Sequence, residues 1–406
     1  MSQPNNTAAA GKHHTGLSAG MVFLMAASCG LIAANIYYSQ PLAGPIADDI
    51  GLSAGATGLI VTLTQIGYGL GLLFLVPLGD LVENRRLILV MIGISVLALL
   101  GAGLSTSPGP FLLASLLIGI GSVAVQMIVP FAAHMAHDHA RGRVVGNVMS
   151  GLMLGIMLGR PVASFIARDT SWHVVFFVSA AAMVLLAATL AVRLPERRPT
   201  TSLRYGQLIA SMGRLYLSEP VLRRRALYQA CQFGAFSLFW TVTPLLLADV
   251  YHLTQTGIAL FALAGVAGAI ASPIAGRLAD RELTRPATIF GMGSVAVGFL
   301  ITHIAPQGST LGLALLTLAA ILLDFGITMT LVTGQRTIFG LNPALRSRLN
   351  GLYMATFFLG GAVTSALGAY AYAQGGWLEA SMIGLALPVI AFAYLLTDSS
   401  HRAVAH

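Results

Sequence analysis

Two ionisable residues, Arg160 and Asp324, lie deep inside long apolar stretches of the chain. A charged side chain at the centre of a bilayer costs about 3 kcal/mol or more, so each needs a partner, a wet cavity or a function. Asp324 shares a helical face with Thr317, Thr328 and Gln335, a stripe that suits water or another polar helix rather than lipid. A carboxyl group in that setting is a candidate proton carrier. The competing reading is a structural ion pair, with Arg336 as its partner. Arg160 follows Gly151, Gly155 and Gly159 and precedes Pro161 and Ser164. A guanidinium does not titrate usefully at physiological pH, so Arg160 either clamps a carboxylate or phosphate, or pairs with Asp324 across the bundle. The residues alone leave both readings open.

Other polar side chains fall on inward faces of the same stretches. Ser28, Asn35, Tyr38 and Ser39 share one face, and Ser115, Ser122 and Gln126 share another. Gln229, Gln232, Phe236, Trp240 and Thr243 form a mixed amide and aromatic stripe, to which Gln65, Tyr68, Tyr353 and Thr356 could add. Amides and aromatic rings offer hydrogen bonds and stacking without fixed charge, which suits a small amphiphilic organic solute. The plainer role for each is a hydrogen bond between helices. Tyr37 and Trp377 read as anchors at the membrane interface. No Walker loop, catalytic Ser/His/Asp set or metal-spaced Cys/His cluster appears, so neither a cofactor nor a metal is expected. His134, His137 and His139 read as a solvated turn beside Asp138 and Arg141.

The elements that must position these groups are membrane helices. Of the 406 residues, 56% are hydrophobic and 9% charged, with a mean hydropathy of +0.81. A bilayer core about 30 Å thick is crossed by roughly twenty apolar residues in a helix. Such stretches occupy 17–42, 56–78, 87–106, 111–135, 144–167 and 174–194, then 223–248, 256–275, 286–305, 310–335, 349–373 and 379–397. The net charge of +8 is not spread as a nucleic-acid patch. Arginines cluster in alternate loops, as at Arg85 and Arg86, Arg141 and Arg143, Arg223 to Arg225, and Arg346 and Arg348. The intervening loops hold Asp48, Asp49, Asp169, Asp249 and Glu379, with Arg168 as their one cation. Positive charge resists translocation, so the arginine-rich side and both termini are expected in the cytoplasm of a cell with this protein in its inner membrane. Cys29 and Cys231 lie within spans and read as small packing residues.

The spans divide six and six. The expected organisation is a disordered tail over 1–16, a bundle over 17–194, a basic linker over 195–222, a second bundle over 223–398 and a tail over 399–406. Corresponding loops echo one another. Gly79-Asp80-Leu81-Val82-Glu83-Asn84-Arg85-Arg86 follows the second span, and Gly276-Arg277-Leu278-Ala279-Asp280-Arg281 follows the eighth. Cys29 leads to Pro41 in the first span as Cys231 leads to Pro244 in the seventh. Duplicated halves are the plan of alternating-access transporters.

These loops resemble the signature of the major facilitator superfamily, roughly G-x-L-a-D-r-x-G-r-r. The first copy has Glu83 in place of Asp and is two residues short; the second has Thr284 where Gly is usual. The string Ala34-Asn35-Ile36-Tyr37-Tyr38-Ser39-Gln40-Pro41 is similar to bacterial efflux-type members of the drug:proton antiporter branch. The resemblance implies an all-α membrane protein of twelve transmembrane helices in two pseudo-symmetric bundles. It also implies a cytoplasmic gate formed by Gly79, Glu83, Arg85, Arg86, Gly276, Asp280 and Arg281, with the acids paired to the arginines.

Two features of that branch are missing. The fourth span reads Ser115-Leu116-Leu117-Ile118-Gly119 where an arginine is usual, and Asn35 stands where the first span often carries an acid. Asp324 would then carry the proton alone. The expected function is proton-coupled export of small amphiphilic organic compounds, by a monomer in the lipid bilayer and with no nucleic-acid partner. The candidate substrate residues are Asn35, Tyr38, Gln65, Gln126, Arg160, Gln229, Gln232, Trp240 and Tyr353. The alternative is a carrier of a small anionic metabolite such as an organic acid or sugar derivative. A lipid-acting membrane enzyme would need a nucleophile or acid–histidine pair at the membrane surface, and none is evident.

Overall fold

The computed structural model describes residues 18–137, 140–199, 204–266, 271, 274–275, 277–278, 281, 283–342 and 345–398. The described residues form helices, turns and short connections, with no strand among them. In chain order the helices are α1 (Ala19–Ala34), α2 (Ala43–Ile50), α3 (Leu59–Phe74), α4 (Asn84–Gly103), α5 (Pro108–Ser122), α6 (Val125–Met135), α7 (Arg141–Asp169) and α8 (Trp172–Arg193). They continue with α9 (Tyr205–Ser218), α10 (Pro220–Asp249), α11 (Gln255–Ala262), α12 (Thr284–Ile301), α13 (Thr310–Leu341) and α14 (Arg346–Leu396). Among the described residues nine helices are long and apolar enough to cross a membrane; Ala19–Ala34 and Gln255–Val266 are shorter apolar helices.

Local chemistry explains several boundaries. Ser18 caps α1 by accepting from the Met21 N–H, and Ser309 caps α13 by accepting from the Gly312 N–H. Pro108 and Pro220 open α5 and α10, where a missing N–H goes unfelt.

One sequence expectation is corrected and two hold. The first span, read as one helix over 17–42, stops at Ala34 and continues as hydrogen-bonded turns to Leu42. The fourth, read over 111–135, is one apolar span over Pro108–Met135 with a turn between Ser122 and Val125. The last two spans, expected as separate crossings, are two helices joined by a turn at Gly375 and Gly376. Both glycines leave helical geometry, and the φ of 64° at Gly376 is a value that glycine adopts freely.

Packing is set by small residues. At the α1–α7 crossing, a Cβ on Gly30 would lie 2.6 Å from the Gly151 carbonyl oxygen. At the α12–α13 crossing, a Cβ on Gly291 would lie 2.7 Å from the Gly326 carbonyl oxygen. Close backbone approach of this kind is how helices adhere in lipid, where apolar side chains gain little by leaving the solvent. Further contacts join α3 to α5, α4 to α5 and α8, and α10 to α14. The first eight helices meet the later ones chiefly along α3–α14 and α7–α11.

Candidate functional site

Trp240, on the buried face of α10, organises the charged interior. Its ring lies 4.4 Å from the Arg160 guanidinium of α7. Its indole N–H donates to Asp324 Oδ1 of α13 at 2.9 Å. Phe236, one turn earlier on α10, and Tyr37, from the turns after α1, place two further rings at 5.1 and 4.9 Å from the same guanidinium. Arg160 Nε donates to Gln40 Oε1 at 2.7 Å. Arg160 and Asp324 are 3% and 5% exposed, so both charges are effectively out of solvent.

The two charges do not form a direct ion pair. Arg168 and Asp169 do form such a pair, in contrast. Arg160 is instead held by three aromatic faces and an amide oxygen, each desolvated cation–π contact contributing about 2 kcal/mol. Trp240 is the shared neighbour of both charges. Gly265 closes the chamber from the turn after α11: a Cβ there would lie 2.8 Å from Asp324 Oδ2 and 3.7 Å from Arg160 Nη1.

Two donors in this cage have no acceptor, Arg160 Nη2 and Gln40 Nε2. A buried unpaired donor costs about 1–3 kcal/mol, more when charged.

The remaining sequence candidates scatter around this centre. Asn35 accepts from Ser179 Oγ at 2.5 Å, tying the first span to α8. Gln65 donates to Ser237 Oγ at 2.6 Å, bridging α3 and α10. Gln126 donates to the Tyr68 hydroxyl at 3.0 Å. Tyr38 is buried beside Tyr37. Gln229 and Gln232 are buried with both amide atoms unpartnered, as is the Tyr353 hydroxyl. Tyr37 and Trp377, read from sequence as interface anchors, are both buried. Trp377 donates to Thr302 Oγ1 at 3.0 Å, and Tyr37 faces the guanidinium. Of the Asp324 stripe, Thr317 turns back to its own helix at the Leu313 carbonyl, and Gln335 donates to Asn350. The acceptor role of Asp324 is met by Trp240 rather than by an Arg336 pair.

At the arginine-rich ends, Glu83 caps α4. Its oxygens accept from the backbone N–H groups of Arg85 at 2.8 Å, Arg86 at 2.7 Å and Arg197 at 3.1 Å. Partial burial alone would raise its pKa; the N–H groups of Arg86, Arg197 and Arg85, with the Arg85 charge, hold it below the usual glutamate value. The partners of the acid are thus main-chain amides, not the expected guanidinium groups, because an N-terminal helix turn offers unpaired N–H donors. The Arg85 guanidinium bonds the Ala191 carbonyl, and the Gly79 carbonyl accepts from Asn84. Arg281 is exposed; Gly276 and Asp280 lie outside the described residues.

Sequence reasoning missed Gln40 and Gly265 and misplaced Tyr37. Gln40 carries no pattern signal, and Gly265 is one of 45 glycines. A groove of about 1020 Å³ also runs along the α1–α7 seam, from Arg143 and Asn147 at one end to Tyr38 and Gly159 beside the cage.

A multi-pass helical chain with two charges buried between its helices suits transport across a membrane, and residues 21–340 match the Major Facilitator Superfamily. The chain belongs to that family. It is 39% identical over 375 residues to the uncharacterized transporter YgaY of Escherichia coli O157:H7, covering 92% of this chain and 94% of that one. It is 32% identical over 387 residues to a Streptomyces coelicolor protein described as "Probable transporter SCO4007", covering 92% and 88%. Among solved structures it resembles the nucleoside transporter NupG, with a TM-score of 0.72, 14% identity and coverage of 93% and 100%. It also resembles the human organic anion transporter MFSD10, with a TM-score of 0.68, 16% identity and coverage of 92% and 98%. The relatives are named as transporters, and the protein is a membrane transporter of this type.

Proposed function

We propose that the protein is a proton-coupled exporter of small amphiphilic organic compounds, working by alternating access between two six-helix bundles, 17–194 and 223–398. Twelve crossings follow if the nine long helices and two shorter apolar ones are counted and the bent α14 is taken as two. The positive-inside asymmetry then puts both termini in the cytoplasm.

One observation carries the reading: Trp240 touches a charge from each bundle, stacking on Arg160 and donating to Asp324. With Asp324 ionised, its negative charge balances the guanidinium across the bundle interface. A proton on Asp324 removes that balance and weakens the acceptor for the indole. The contact between bundles at this level therefore differs between the two protonation states, which is what coupling requires. The aromatic rings and unpaired amides of Gln229 and Gln232 supply an uncharged wall for an amphiphilic solute. In proteoliposomes with an imposed pH gradient, Asp324→Asn should abolish gradient-driven flux. Flux equal to the wild type would remove Asp324 from the mechanism.

A second reading, a carrier for small organic anions, is favoured by the unpartnered Arg160 Nη2. The likeness to an organic anion transporter points the same way.

A further inference from the structure

The cage around Arg160 contains more than a positive charge. Gln40 accepts from Arg160 Nε through Oε1, and this bond fixes the amide against the guanidinium edge. Each partner keeps one donor without an acceptor, Nη2 on Arg160 and Nε2 on Gln40. Gln40 is 1% exposed and Arg160 3%, so water of the bulk does not satisfy them. Tyr37, Phe236 and Trp240 surround the guanidinium with rings whose centroids lie 4.4 to 5.1 Å away. The other titratable groups of the cage are Asp324 of α13, whose Oδ1 is engaged by Trp240, and the Tyr37 hydroxyl.

We infer that Gln40 and Arg160 form a paired oxyanion receptor, and that the transported solute is an aromatic carboxylate. The carboxylate would accept from Nη2 of Arg160 and Nε2 of Gln40, and the ring would lie among Tyr37, Phe236 and Trp240. The inference rests on the transport reading above and names its substrate class. One charged and one neutral N–H donor satisfy the two oxygens of a carboxylate, whereas a primary amide would present an N–H to one of them. An aromatic body gains stacking that an aliphatic acid lacks. Asp324 serves as the competing anion: when it carries a proton, the substrate is the sole counter-charge for Arg160.

The test uses the full chain in nanodiscs, with benzoate, phenylacetate and indole-acetate as probes and the matching amides as controls, read by isothermal titration calorimetry. The carboxylates should bind at least about tenfold more tightly than the amides, the usual range for a charge-assisted bond. Gln40→Leu should weaken the carboxylates about tenfold and leave the amides unchanged. Gln40→Glu, nearly isosteric, should abolish carboxylate binding by placing a like charge at the receptor. Asp324→Asn should bind the carboxylates more tightly than the wild type. Absence of carboxylate binding, equal binding of the amides, or full binding by Gln40→Glu would each overturn the receptor. Proton-driven flux is measured separately in proteoliposomes. Carboxylate binding without gradient-driven flux would sink the transport reading and leave the receptor standing.

Discussion

Glu83 and Asp324 are both acids that accept from N–H donors, yet their surroundings give them different work. Glu83 sits at the edge of the helical mass and receives three main-chain amides. Asp324 lies 5% exposed between helices and receives one indole N–H, with a guanidinium in the same cage but not paired to it. Donor number and burial separate a fixed cap from a group able to change its charge. Three amides hold a carboxylate ionised and pin a helix start. One amphipathic ring leaves a buried charge only partly compensated, which is the condition for a proton to matter.

That contrast can be broken by substitution. The largest effect is expected at Asp324: the Asn variant should lose gradient-driven flux by a factor of about a hundred or more, while Glu83→Gln retains a measurable fraction. Equal losses in a flux assay would erase the distinction between them. Next is Trp240→Phe, which keeps a ring over Arg160 but deletes the donor to Asp324. Loss of a hydrogen bond to a charged group is worth ~1.5–3 kcal/mol, so coupled flux should fall at least about tenfold. Unaltered flux would show that the indole N–H is incidental.

Gly265→Ala should press a methyl group onto Asp324 and Trp240, costing ~1–3 kcal/mol of stability as overpacking. A melting temperature equal to the wild type in nanodiscs would mean the turn after α11 yields freely. The smallest effect is the cap. Glu83→Gln should cost about 1 kcal/mol at neutral pH. Because the folded-state pKa of Glu83 is depressed, its contribution is present above the ordinary value of 4.5 and fades as pH falls through the lowered one. Chemical-denaturation midpoints of wild type and variant should therefore converge only in acid. A gap that widens on acidification would contradict the cap assignment.

Most of the fold was legible in the residues because hydropathy and arginine placement act locally and additively along the chain. Arg160 and Asp324 stood out for the same reason, as charges within stretches that lipid would otherwise surround. The partners of those charges were not legible. Arg160 meets Gln40 across 120 positions, and Trp240 meets Asp324 across 84. No local pattern marks Tyr37 as a cage wall rather than an interface anchor, or Gly265 as the one residue that fits against the carboxylate. The last two spans looked separate by hydropathy, and non-helical backbone at Gly375 and Gly376 does divide them.

What the chain determined by itself is its solvent and its inventory: an all-helical body in lipid, basic at alternate loops, with two buried charges and a set of inward amides. Only the tertiary structure decided that the two charges share Trp240 instead of pairing directly. The physical reason is that helix crossings set by glycine contacts, at Gly30 on Gly151 and Gly291 on Gly326, fix depth and rotation to within a few ångströms. Hydrogen-bond partners are chosen on that scale, and hydropathy does not resolve it.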